Sequence, residues 1–201
     1  MKNKKYLIAI FCIPLMALSS CASYRASSLN SLSSTIVVTP SNNEEVLVTA
    51  QAFTKEDCRR YLDRDVISKG YQPVQIYIQN NSKRSYNFSL DRVGLPCARP
   101  DEVANTVHTS TVGRAVGYGV GALFLWPLAI PAVVDGIKSS EANASLDSDF
   151  SSKTARNQVI QQYSTLNKLI FVPVNEYQEN FNITLVDLDT NTLKTFSVTI
   201  N

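Results

Sequence analysis

Alternating hydrophobic and polar residues predict β-strands in the first half of the chain. Residues 45–53 and 73–79 alternate with period two, so one face of each segment is apolar. A polar turn at residues 80–83 precedes a third alternating segment at residues 86–90. We therefore predict one strand followed by a β-hairpin that pairs the second and third segments.

A helical pattern fills the gap between the first two strands. Thr54 is a suitable N-cap, and Asp57 stands three residues later, as in a capping box. Apolar residues then recur at helical spacing as far as Val66, and Gly70 stands where a C-terminal cap belongs. The pattern predicts a helix over Lys55–Lys69.

The C-terminal third returns to short apolar strands, the last two of which are joined by a polar turn. These strands are predicted at residues 169–172, 181–185 and 196–200. Six short strands with turns between them are typical of a small antiparallel β-sandwich with an immunoglobulin-like layout. The fold class is therefore α+β, with the two halves of the sandwich at residues 45–100 and 167–201.

The intervening region, residues 101–166, has no strand pattern and predicts an inserted helical region. Twenty consecutive residues, 115–134, carry no charge. Gly113, Gly117 and Gly121 are spaced four residues apart, which places them on one helix face where a second helix can approach closely.

Prolines divide this glycine-rich segment into a hairpin. We predict a helix that ends near Leu125, a bend at Pro127, and a second helix that begins near Pro131. Helical character continues to Leu146, and a more polar helix is predicted over residues 149–162.

Three interpretations of the apolar hairpin remain open. It is a membrane-embedded hairpin, a buried helical hairpin packed on the sandwich or on itself, or an exposed tip that contacts a partner or a membrane. The residues predicted to make such a contact are Gly113, Gly117, Gly121, Leu123, Leu125, Trp126 and Ile130.

The N-terminus has the three regions of an export signal. Lysines precede an uncharged apolar run from Tyr6 to Leu18, which is followed by small residues and then Cys21. This arrangement resembles the lipobox of bacterial lipoproteins. The resemblance implies a signal peptide over residues 1–20 and acylation of Cys21. The Ser-rich composition that follows predicts a flexible tether within residues 21–44.

The same resemblance implies a location. Ala22 follows the lipidated cysteine, where Asp would favour the inner membrane, so we expect an outer-membrane anchor that faces the periplasm. Residues 72–82 are also similar to the strand and turn pattern common in immunoglobulin-like domains of bacterial lipoproteins. That family has no established activity, so no functional residues are transferred from it.

Cysteine use agrees with an oxidising compartment. Cys12 belongs to the signal peptide and Cys21 to the lipid anchor, which leaves Cys58 and Cys97. An even pair in such a compartment predicts a disulfide, with two buried free thiols as the alternative.

Charge and motifs argue against catalysis and against nucleic acid as a partner. The chain has 19 basic and 17 acidic residues, and three of the basic ones are the lysines of the signal. Its single histidine, His108, is not accompanied by a nucleophile or metal-ligand motif. We expect a non-enzymatic protein with no cofactor and no metal.

The leading hypothesis is a periplasmic adaptor that is anchored in the membrane by lipid and uses its apolar hairpin to contact either an envelope protein complex or the opposing membrane. Two alternatives stay open. One is a membrane-active protein whose hairpin inserts into a bilayer. The other is a lipoprotein that binds a small ligand or a glycan.

Overall fold

The computed structural model describes residues 23–32, 45–109 and 129–200, with the backbone alone for residues 129–138. The chain divides into two compact units. One consists of Arg25–Val107 and Asp147–Asn201, and the other of Met1–Tyr24 and His108–Leu146. The β-structure belongs to the first unit, which we call the sandwich unit.

Two antiparallel sheets build the sandwich unit. Its strands are β1 (Val46–Ala52), β2 (Tyr71–Asn80), β3 (Tyr86–Phe88), β4 (Gln158–Ile160), β5 (Thr165–Pro173), β6 (Asn180–Asp187) and β7 (Leu193–Thr199). The first sheet has the order β1-β2-β5, and the second has the order β4-β3-β6-β7. The prediction of an α+β chain with antiparallel sheets is confirmed at this level.

The main core lies between the two sheets. Val74, Ile76 and Ile78, which the period-two pattern placed on one face of β2, are fully buried there. Ile183 and Leu185 of β6 are buried in the same cluster. Each strand therefore gives one apolar face to this core, as expected for sheets that pack face to face.

Three helices are described: α1 (Lys55–Leu62), α2 (Pro100–Val107) and α3 (Ala129–Lys153). Both α2 and α3 lie in the chain between β3 and β4, where the helical insertion was predicted. The predicted bend at Pro127 lies outside the described residues. None of the described helices is long and apolar enough to cross a membrane.

Helix α1 begins where its capping box predicts and ends earlier than expected. The Thr54 side chain accepts a hydrogen bond from Asp57 N, and Asp57 accepts one from Thr54 N. Asp63 then adopts a left-handed conformation with φ 51°, which ends the helix at Leu62. Gly70, at φ 92°, caps the following 3-10 turn instead of α1 itself.

The predicted hairpin of β2 and β3 is wrong, because these strands belong to different sheets. β2 pairs with β1 and β5, whereas β3 pairs with β4 and β6. The buried amide of Asn80 holds the corner between them, since its Nδ2 donates to Arg84 O at 2.7 Å and to Gln161 O at 2.8 Å. Ser82 N and Oγ donate to Asn80 Oδ1. This corner carries the chain from one sheet to the other.

A buried carboxylate also stabilises this corner. Asp187, whose side chain is inaccessible to solvent, accepts a hydrogen bond from Arg84 Nη1 at 2.7 Å. Burial acts to raise the pKa of Asp187, but the bonds from Arg84, Asp189 N and Thr190 N outweigh it and lower the pKa from 3.8 to about 2.

The predicted polar helix over residues 149–162 is also wrong in its second half. α3 ends at Lys153, and Gln158–Ile160 forms β4 instead. Ile160 pairs with Tyr86 and is buried in the core between the sheets. A strand of three residues is too short to show a period, so its tertiary pairing with β3 decides its conformation.

A second buried layer covers the other face of the first sheet. Phe171 of β5 stacks on Phe150 of α3, with ring centroids 5.5 Å apart. Phe53, which follows β1, and Tyr61 of α1 have ring centroids 5.4 Å apart. We call this face, which points away from the second sheet, the outer face.

Candidate functional site

Most of the predicted contact residues lie outside the described part of the chain. This holds for Cys21 and for the six predicted contact residues from Gly113 to Trp126. Ile130 lies in the first turn of α3, where the backbone alone is described. His108 follows the last residue of α2 and is half-buried.

The predicted disulfide is absent, and Cys58 and Cys97 are free thiols. Cys97 packs against the core between the sheets. Cys58 is fully buried in α1, which belongs to the layer on the outer face. The two side chains thus lie on opposite sides of the first sheet, whereas a disulfide needs Cα atoms within about 7 Å of each other.

Burial also makes both thiols weak nucleophiles. Loss of hydration raises the pKa of Cys97 to about 11. It raises the pKa of Cys58 to about 11 as well, with a further contribution from the charge of Asp65. Because the thiolate is the reactive form, neither cysteine is suited to catalysis.

The N-terminal segment, residues 25–32, is bound to the outer face of the sandwich unit, and we call it the docked segment. Arg25 N donates to Asp63 Oδ2 at 3.1 Å, and Ser27 N donates to Arg60 O at 2.8 Å. Leu32 is buried at its far end. The prediction of a flexible tether is therefore wrong for these residues.

Asn30 connects the docked segment to the strands below it. Its carbonyl oxygen accepts hydrogen bonds from Gln75 Nε2 at 2.6 Å and from Asn167 Nδ2 at 3.2 Å. Its side-chain Nδ2 donates to Tyr61 Oη at 2.9 Å. Gln75 is only 3% exposed, so the segment provides a hydrogen-bond acceptor to a buried amide on β2.

Lys153, the last residue of α3, holds the other end of the docked segment. Its Nζ donates to Ser27 O at 2.7 Å, to Tyr61 O at 2.6 Å and to Asp149 Oδ2 at 2.6 Å. Lys153 is 8% exposed, and these three acceptors match its three N–H donors. One ammonium group therefore joins the docked segment, α1 and α3.

A cleft of about 440 Å³ opens at the β5 edge of the sandwich unit, and we call it the edge cleft. One wall comes from the loop after β3 and the other from the residues that follow α3. The lining residues are Leu90, Cys97, Ala98, Arg99, Pro100, Thr154, Ala155, Arg156, Asn157 and Ile170. Most of this lining is apolar, and none of these side chains is a carboxylate.

Neither the docked segment nor the edge cleft was predicted from the sequence, because the chain contains only weak signals for them. The docked segment is polar and Ser-rich, which is also the composition of a flexible linker. The edge cleft combines residues more than fifty positions apart, so no local motif marks it. Among the described residues, no three His, Cys, Asp or Glu side chains are grouped as metal ligands.

Comparison with models of known protein families, with curated proteins and with solved structures finds no match to this chain. The docked segment and the edge cleft are therefore interpreted from their own geometry.

Proposed function

We propose that the chain is a non-catalytic lipoprotein of the bacterial envelope, which is anchored through Cys21 and acts as an adaptor at the membrane surface. The proposed location is the periplasmic face of the outer membrane. The observation that supports this function best is the docked segment, because it lies only four residues after the cysteine of the lipobox-like sequence.

Chain length then limits the distance between the anchor and the folded domain. Four extended residues span at most about 14 Å. A domain bound to its own N-terminal segment would thus be held close to the membrane. A free tether of the length predicted from sequence would not restrict the domain in this way.

The proposed fold of this adaptor is an immunoglobulin-like sandwich. The strand order supports it: β1-β2-β5 corresponds to strands A, B and E, and β4-β3-β6-β7 corresponds to C′, C, F and G. In this layout α1 joins strands A and B, and the helical region is inserted between C and C′. The insertion is the part that such sandwiches do not need for their own core.

The proposed contact element is the apolar, glycine-rich part of the insertion, from Gly113 to Ile130. Its partner is an envelope protein complex close to the same membrane. An anchor of short reach would keep the chain, and with it this element, near the lipid surface.

Changing the reach of the anchor tests the adaptor function. Inserting twelve Gly and Ser residues between Ser23 and Tyr24 lengthens the anchor by up to about 40 Å and leaves the docked segment intact. We expect the variant to remain lipidated and folded and to lose the proteins that copurify with the unaltered chain after in-cell crosslinking.

The matched control carries the same insertion between Ser41 and Asn42. This position follows the docked segment, so the insertion does not lengthen the path from Cys21 to the domain. Equal recovery of partners by both variants would contradict an adaptor of fixed reach. A separate Cys21→Ser variant tests the anchor: it should leave the membrane fraction and incorporate no labelled palmitate.

A further inference from the structure

The two walls of the edge cleft are fixed by backbone hydrogen bonds to β5. Ala98 N donates to Phe171 O at 2.8 Å, which holds the loop after β3. Ala155 N donates to Leu169 O at 2.7 Å, which holds the residues after α3. Both walls are tied to the same strand, so the cleft is preformed, as small-ligand sites usually are.

The floor of the edge cleft is apolar and continuous with the core between the sheets. Ile170 is fully buried, and Ala155 is 1% exposed. Leu90 and Cys97 pack against the same core from the loop side. A volume of about 440 Å³ lies within the range of sites that hold small organic ligands. The floor is suited to a hydrocarbon chain.

The rim of the cleft is positively charged. Arg99 forms a surface ion pair with Asp101 at 3.3 Å, so part of its charge is neutralised. Within the described part of the chain, the hydrogen bonds of the Arg156 side chain go to two neutral oxygens of Ser151, and both come from Nη2. A guanidinium group has five N–H donors, so Arg156 retains donors for an anion.

Arg156 also lines a neighbouring polar cleft of about 400 Å³, which shares Thr154 with the edge cleft. The other residues of that cleft are Ser148, Ser151, Ser152, Gln158 and Lys168. It contains a second cation and several hydroxyl groups, again without a carboxylate. An apolar cavity and a cationic polar cavity thus meet at one arginine.

We propose that these two cavities form a binding site for a single-chain amphiphile with an anionic headgroup. The hydrocarbon chain occupies the edge cleft, and the headgroup binds Arg156 on the side of Lys168. This site is independent of the lipid anchor and of the adaptor function, since it uses other residues of the sandwich unit.

Alkylation of Cys97 provides the assay. The lipidated chain is placed in phosphatidylcholine nanodiscs and treated with N-ethylmaleimide at pH 9, and the modified peptides are measured by mass spectrometry. Decanoate should slow alkylation of Cys97 at least about fivefold in a saturable manner, because the chain covers the cleft floor. The fully buried Cys58 serves as an internal reference, and its slow reaction should not change.

Decyl phosphate and decanol separate the contributions of headgroup and chain. Both anions should protect Cys97, and whichever protects at lower concentration identifies the headgroup as carboxylate or phosphate. Decanol should protect Cys97 only at a concentration at least about tenfold higher, since it lacks the charge that Arg156 recognises. Equal protection by decanol and by both anions would overturn the proposal, as would no protection by any of the three.

Arg156→Gln and Arg92→Gln are the matched variants. Both remove one exposed arginine, but Arg92 lines neither cavity. We expect Arg156→Gln to raise the half-protecting concentration of decanoate about tenfold and Arg92→Gln to leave it unchanged. If both variants fold and change the half-protecting concentration equally, a headgroup site at Arg156 is refuted. If a variant unfolds, the comparison of decanoate, decyl phosphate and decanol on the unaltered chain still decides the proposal.

Discussion

Replacing Lys153 by methionine tests whether one buried ammonium group holds the docked segment to the domain. Methionine keeps most of the side-chain volume, so the change removes the charge and the donors without creating a large cavity. Three acceptors within 2.7 Å of Nζ then lose this hydrogen bond: Ser27 O, Tyr61 O and Asp149 Oδ2.

The expected cost follows from these acceptors. A hydrogen bond to a charged group contributes about 1.5–3 kcal/mol, and each buried acceptor left unsatisfied adds a penalty. The Asp149 side chain is 25% exposed and regains water, which offsets part of the loss. Taking about 1.5 kcal/mol for each of the two backbone acceptors and no net loss for Asp149, we expect the free energy of unfolding to fall by about 3 kcal/mol, which is a drop of about 6–12 °C in Tm for a chain of this size.

Thermal unfolding followed by circular dichroism measures this difference, and Lys168→Met is its control. Among the described residues, Lys168 Nζ donates to one backbone carbonyl, Ser152 O at 2.6 Å, and this hydrogen bond is exposed to solvent. Its loss should cost less than about 1 kcal/mol. Limited proteolysis should also cut Lys153→Met within residues 25–32 before the rest of the domain. Equal Tm values for the two variants would refute the role assigned to the buried ammonium group.

Three further changes test other parts of the sandwich unit. Thr54→Ala removes the N-cap of α1 and should lower the unfolding free energy in urea by about 1 kcal/mol, whereas Thr54→Ser should retain it. Asp187→Asn removes a carboxylate whose pKa is lowered to about 2, so it should cost about 2 kcal/mol at pH 7. The difference in unfolding free energy between this variant and the unaltered chain should disappear as the pH falls from 4 to 2, because the carboxylate then becomes protonated. A difference that is constant with pH would contradict the Arg84 pairing. Since Cys58 and Cys97 are free, dithiothreitol should leave Tm unchanged, and a large decrease would indicate the disulfide instead.

The sequence predicted the elements that are determined by residues close to one another in the chain. Thr54 and Asp57 fix the start of α1 through side-chain to backbone bonds three residues apart. The alternation in β2 and β6 identified the faces that form the core. The β6–β7 hairpin also follows from a local turn, and its strands pair as predicted.

Features that depend on distant residues were not predictable in the same way. The end of α1 is set by Asp63 in a left-handed conformation, which the helical pattern does not encode. The corner at Asn80 looks like a hairpin turn in sequence, yet its amide bonds to Gln161, eighty-one positions away. The docked segment depends on Lys153 and Asn167, so its polar composition alone suggested a linker.

The covered edge of β5 has a consequence for self-association. An edge strand exposes unpaired N–H and C=O groups on which another chain can add a strand. Here Ala98 pairs with Phe171 and Thr154 pairs with Leu169, so two short segments occupy that edge. The same segments are the walls of the edge cleft. If these segments separate from β5, its backbone N–H and C=O groups become free to pair with a strand of another chain. Widening of the cleft would therefore increase the risk of aggregation at this edge of the sheet.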